Sequence, residues 1–119
     1  MIRVTLLRQG ERLTGCRARG HSGWAEAGSD IICAAVSILT CTCVNALESV
    51  CGVVPENVEV GEEEGILNFD LPEAAPEKDQ KAQVLMRALE QGLKDLAEQY
   101  PKYVKLFHQM NGGNQNDEA

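Results

Sequence analysis

Two residues of this 119-residue chain, Cys33 and His21, have side chains suited to covalent chemistry at a carbonyl group. Asp30 is a good helix N-cap, because its carboxylate can accept hydrogen bonds from the unpaired N–H groups of a first helical turn. Cys33 would then be the third helical residue, where those N–H groups and the helix dipole favour a thiolate. The same N–H groups can bind a developing oxyanion. The pattern therefore predicts a nucleophilic cysteine at the start of a helix.

His21 lies twelve residues before Cys33 and is the candidate partner of the thiol. A histidine titrates near neutral pH, so it can take a proton from a thiol and return it to a leaving amine. The segment between them is long enough to fold back and bring imidazole and thiol together. His108 is a poorer candidate, since it lies near the end of the chain. The alternative interpretation is a small buried cysteine and an exposed loop histidine.

Three further residues could support such a site. Ser37 lies one turn after Cys33 on the same helix face, and could bond near the thiol or to the carbonyl four residues back. Trp24, the single tryptophan, has Gly23 and Gly28 on either side. It could anchor its loop to the core or cover a substrate groove as part of a moving lid. Asp30 is first a cap and only secondarily a residue that orients the site.

The cysteine content points to thiols in a reducing compartment. The chain has five, an odd number: Cys16, Cys33, Cys41, Cys43 and Cys51. No charged leader with an apolar segment and cleavage site precedes them, so neither secretion nor a disulfide framework is expected. A zinc site built from Cys16, His21 and Cys33, with Cys41 or Cys43 as fourth ligand, is the metal-binding alternative. It lacks the C-x(2–4)-C knuckle of structural zinc sites, and no metal or cofactor is expected.

Charge and hydropathy limit the class of partner. The formal net charge is −7, with 11 basic and 18 acidic residues, which argues against nucleic-acid binding and is compatible with a basic partner. Residues 31–47 carry no charge, but this stretch is at the short limit for a membrane span. Four polar residues interrupt it, and Asp30 and Glu48 bracket it. We therefore expect a core helix buried on most sides and no membrane segment.

Periodicity predicts an α+β domain of order ββαββα(β), with a mainly antiparallel sheet of four to five strands and two helices. The expected strands are 2–8, 12–19, 57–61, 65–71 and a final 103–108. The expected helices are 31–51 and a second that starts near Pro76, a favourable first helical position, and ends before Pro101. One domain would cover 1–110, with 111–119 a disordered tail.

The pattern G-H-x-x-[aromatic]-x-x-x-G-x-D-I-I-C-A-A-V-S, from Gly20 to Ser37, resembles the signature of the ribosomal-processing cysteine protease family Prp. The resemblance extends over almost the whole chain. It implies a cytoplasmic, homodimeric endopeptidase without a cofactor. Its substrate would be the N-terminal extension of the basic large-subunit ribosomal protein L twenty-seven, cut after an aromatic residue and before a small one.

Residue by residue, the resemblance implies Cys33 as nucleophile and His21 as general base and acid, with Asp30 and Ser37 in support. The implied substrate-binding loop contains Gly20, Ser22, Gly23, Trp24 and Gly28. Two other functions remain open on the residues alone. One is a non-enzymatic ribosome-associated module that holds a ribosomal-protein tail, and the other is a redox switch that uses Cys33.

Overall fold

Alternation of apolar and polar residues along the first two strands produces a hairpin with one buried face. In the computed structural model, which describes residues 1–20, 29–61 and 65–110 and only the backbone of Ser29 and Asp30, β1 spans Ile2–Gln9 and β2 spans Arg12–Arg19. Val4 lies opposite Ala18, and Leu6 lies opposite Cys16. These four residues are buried, so the hairpin supplies one half of the core.

The remaining elements complete a five-stranded sheet and two helices. They are α1 (Ser29–Ser49), β3 (Glu56–Gly61), β4 (Ile66–Asp70), α2 (Pro76–Gln99) and β5 (Val104–Met110). The strand order is β3-β4-β2-β1-β5, and β5 pairs with β1 in parallel while the other neighbours are antiparallel. The predicted α+β class and the order ββαββαβ are confirmed, with β5 longer than expected.

The core lies between the sheet and the two helices. Its largest fully buried side chains come from every layer: Phe69 and Leu6 from the sheet, Leu47 from α1, and Met86 and Leu93 from α2. The helices also contact each other. The domain thus has two layers, and the second face of the sheet carries exposed residues such as Arg3.

Side chains of α2 hold the β1–β2 hairpin in place. Gln83 donates from Nε2 to the carbonyl of Leu13 at 2.8 Å and accepts from its N–H at 2.9 Å, as a neighbouring strand would. Arg12 forms an ion pair with Asp79 at 2.8 Å, and this hydrogen bond raises the pKa of Arg12. These contacts fix α2 to the β1–β2 hairpin.

The expectation that the first helix is buried on most sides is wrong. Within the described residues, Ile31–Ser49 is the one helical stretch that is long and apolar enough to cross a membrane. Only 28% of this apolar stretch is buried inside the protein. Val36, Cys43 and Leu47 face the core, whereas Ile31 and Ile38 are 72% and 66% exposed. The reason is the two-layer architecture, which puts neighbours against one side of α1 and leaves the other uncovered.

Candidate active site

The chain leaves β2 through a constrained glycine. Gly20 has φ +107, a conformation that side-chain-bearing residues rarely adopt, and its N–H donates to the carbonyl of Gly65 at 2.9 Å. A Cβ at this position would collide with the carbonyl oxygen of Met1. Gly20 is therefore held between Met1, which precedes β1, and the β3–β4 hairpin.

The start of α1 differs from the sequence prediction. The helix begins at Ser29 rather than near residue 31, so Asp30 is its second residue and not the cap before it. An acidic residue in the first turn is favoured by the helix dipole, which allows the helix to start earlier. Cys33 becomes the fifth helical residue, whose own N–H bonds within the helix. The N–H groups without a helical partner belong to the first turn, from Ser29 to Ile31.

A cavity of about 380 Å³ lies between α1 and the β3–β4 hairpin. Cys33, Ser37 and Cys41 line it on the helix side, and Val60, Ile66 and Leu67 line it on the sheet side. Gly20 lies at its end near Ile2. The structure thus brings together Gly20, Cys33 and Ser37 from the predicted site.

The other predicted site residues have no described side chain. His21, Ser22, Gly23, Trp24 and Gly28 lie outside the described residues, as does the side chain of Asp30. Their assigned roles stay predictions. Along the chain they lie between Gly20, which lines the cavity, and Ser29, where α1 begins.

Burial separates the five cysteines, all of which lie in the described part of the chain and are thiols. Burial, with a smaller contribution from a neighbouring thiol, raises the pKa of Cys16 and that of Cys43 to about 12. Cys51 is also buried. Only Cys33 and Cys41 are partly exposed, and both line the cavity. Of these two accessible thiols, Cys33 is the one near the start of α1.

Cys41 is the cavity residue that sequence reasoning missed. The sequence predicts it only as a possible fourth zinc ligand, whereas its four-residue spacing from Ser37 and eight-residue spacing from Cys33 place it on their face of the helix.

Two alternatives for the site can be placed in the fold. His108 lies on β5, where its Nε2 is 2.7 Å from Glu90 Oε2 of α2, and it is absent from the described cavity wall. Among the residues with described positions, no group of three His, Cys, Asp or Glu side chains could hold a metal ion. The zinc alternative that uses His21 falls outside the described residues.

Comparison with known proteins shows what this arrangement resembles. Residues 1–105 match the family described as cysteine protease Prp. The ribosomal processing cysteine protease Prp of Bacillus subtilis is 32% identical over 102 residues, which are 84% of this chain and 90% of that protein. The crystal structure of SMU.848 from Streptococcus mutans matches with a TM-score of 0.83 and 34% identity, covering 93% and 96% of the two chains.

A more distant structure has the same fold. The ribosomal processing protease Prp from S. aureus, crystallised with a substrate peptide, matches with a TM-score of 0.78 at 21% identity and covers 92% of this chain and all of that one.

Proposed function

Because the chain belongs to the family of cysteine protease Prp, we propose that it removes the N-terminal extension of large-subunit ribosomal protein L twenty-seven, cutting after an aromatic residue. Membership makes the chain a cysteine protease, a hydrolase of peptide bonds, and decides against the non-enzymatic module. The observation that carries the site assignment is the partly exposed Cys33, which lines the same cavity as Gly20, the residue before His21.

The proposed reaction proceeds through an acyl-enzyme. Cys33 Sγ attacks the scissile carbonyl while His21 takes the thiol proton, and N–H groups of the first turn of α1 hold the oxyanion. His21 then protonates the leaving amine as the C–N bond breaks, which leaves a thioester on Cys33. Water attacks this thioester with His21 as general base, and the thiol is restored. Ser37, one turn along α1 in the cavity, supports the site together with Asp30.

The charge of the chain supports a basic substrate. The formal net charge of −7 attracts a cationic ribosomal-protein terminus and raises the rate of encounter at low ionic strength. The five thiols and this substrate class support a cytoplasmic location.

The outer face of α1 supports a homodimer. Ile31, Ala34 and Ile38 are exposed and lie on one side of the helix, next to the cavity wall. An exposed apolar stripe of this kind is typical of a protein interface. Replacing Ile31 and Ile38 by Glu should yield a monomer by light scattering, while the equally exposed Val84→Glu on α2 should leave the dimer intact. A dimer that persists in the double variant would refute this interface.

Cleavage of the organism's own precursor tests the activity. Cys33→Ala should lose at least about a thousandfold in kcat/KM, because the other thiol on this wall, Cys41, lies about 12 Å further along the helix axis. His21→Ala should lose activity to a similar extent, and mass spectrometry of the products locates the cut. Thr42→Ala, an exposed change on the same helix, is the matched control. Full activity in Cys33→Ala would refute the nucleophile assignment.

A further inference from the structure

One side of α1 presents three residues at four-residue intervals: Cys33, Ser37 and Cys41. Residues four apart lie above one another on an α-helix, and all three line the cavity. With a rise of 1.5 Å per residue, Cys41 lies about 12 Å along the helix axis from Cys33. The cavity therefore extends well beyond the reacting thiol.

The sheet side of the cavity carries apolar side chains opposite Cys41's helix. Val60 of β3 lies opposite Leu67 of β4, and Leu67 is a core residue, so this pair lines the side of the sheet that faces α1. Val36 and Thr40 complete the wall on the helix, and the hydroxyl of Thr40 donates to the carbonyl of Val36 at 2.8 Å. Val60 is 60% exposed, so this wall is open to an incoming chain.

We propose that this region, the Cys41 subsite formed by Thr40, Cys41, Val60 and Leu67, binds an apolar side chain of the peptide substrate three or four residues from the scissile bond. An extended peptide advances about 3.3 Å per residue, so 12 Å along α1 corresponds to that number of residues. The subsite is continuous with the cavity at Cys33, which places its occupant on the same peptide. The inference rests on the proposed peptidase function.

Disulfide trapping with the native Cys41 tests the position. Cys33→Ala protein is incubated with twelve-residue peptides that span the precursor's cleavage site. Each peptide carries one cysteine, placed one to five residues from the scissile bond on either side. Mixed disulfide at Cys41 should peak at the third or fourth residue on one side, and Cys33→Ala/Cys41→Ser protein should give none. The other three cysteines are buried and do not compete. Equal yields at all positions, or a peak beside the scissile bond, would overturn the inference.

Filling the subsite tests its contribution to binding. Cys41→Phe should raise KM for the unmodified peptide about tenfold with kcat changed less than about threefold, because an apolar contact is lost without a change at the reacting atoms. Val84→Phe adds the same ring at an exposed position of α2 and should leave both constants unchanged. Circular dichroism melts establish that both variants are folded. Equal KM values for the two variants would refute the subsite.

The two levels of the proposal fail differently. Wild-type protein that does not cleave the precursor refutes the proposed function, and the subsite falls with it. Normal cleavage together with position-independent trapping refutes the subsite alone.

Discussion

Replacing Gly20 by Ala should disturb both the fold and the catalytic site. The new Cβ would meet the carbonyl oxygen of Met1, and φ would remain at +107. The carbonyl of Met1 cannot move away freely, because it shares a peptide group with the N–H of Ile2. That N–H donates to the carbonyl of Tyr103 at 2.8 Å. The substitution therefore adds a backbone collision to the cost of a left-handed φ.

Gly10→Ala is the matched control for this substitution. Gly10 has φ +64 in the β1–β2 turn, with nothing within 4 Å of a new Cβ. An L-residue in a left-handed conformation costs about 1–2 kcal/mol, which is the whole effect expected there. At Gly20 strain and collision together should cost at least about 3 kcal/mol.

Thermal unfolding measures the difference. A chain of 119 residues has an unfolding entropy of about 0.25 kcal/mol per kelvin, so each kcal/mol lowers Tm by about 4 °C. Gly10→Ala should lose about 4–8 °C and Gly20→Ala at least about 12 °C by calorimetry. Gly20→Ala should also lower kcat/KM about a hundredfold at 25 °C, since an ångström-scale shift of the adjoining His21 misplaces the base. Equal Tm losses, or full activity in Gly20→Ala, would refute this reasoning.

Three further outcomes test burial and packing. Iodoacetamide at pH 8 should modify Cys33 at least about a thousandfold faster than Cys16 or Cys43. The pKa of about 12 leaves only about one in ten thousand of these two buried thiols as thiolate at that pH. Labelling of either buried thiol in the native protein at the rate of Cys33 would contradict this prediction. Because the pKa of both thiols in the folded protein lies above the ordinary cysteine value of about 9, the thiols of the unfolded chain ionise first as the pH rises. Stability by urea titration should therefore be constant below about pH 9 and fall by about 1.4 kcal/mol per pH unit per thiol towards pH 12. The prediction would be wrong if the free energy of unfolding stayed constant up to pH 11. It would also be wrong if that free energy fell with pH at the same slope in the Cys16→Ala/Cys43→Ala protein. Gln83→Ala should cost about 1–3 kcal/mol by leaving the Leu13 backbone groups unpaired, whereas the exposed Gln91→Ala should stay within about 0.5 kcal/mol.

The order of elements followed from local signals. Alternation in β1, β2 and β4 and the proline at the start of α2 act within a few residues, so they can be recognised without tertiary contacts. The boundary at α1 was placed two residues late, because Ser29 and Asp30 both suit a cap and a first turn. The length of β5 depends on its parallel pairing with β1, a contact across about a hundred residues that no local pattern encodes.

The sequence by itself determined the family, through the continuous pattern from Gly20 to Ser37, and with it the candidate thiol and histidine. Only the tertiary structure decided which cysteines are accessible. Burial raises the pKa of Cys16 and Cys43, whereas the gap between α1 and the β3–β4 hairpin leaves Cys33 and Cys41 in one cavity. The physical reason is that the accessibility of a thiol on a helix depends on which side of that helix packs against other elements. In a two-layer domain that is set by packing between elements distant in sequence.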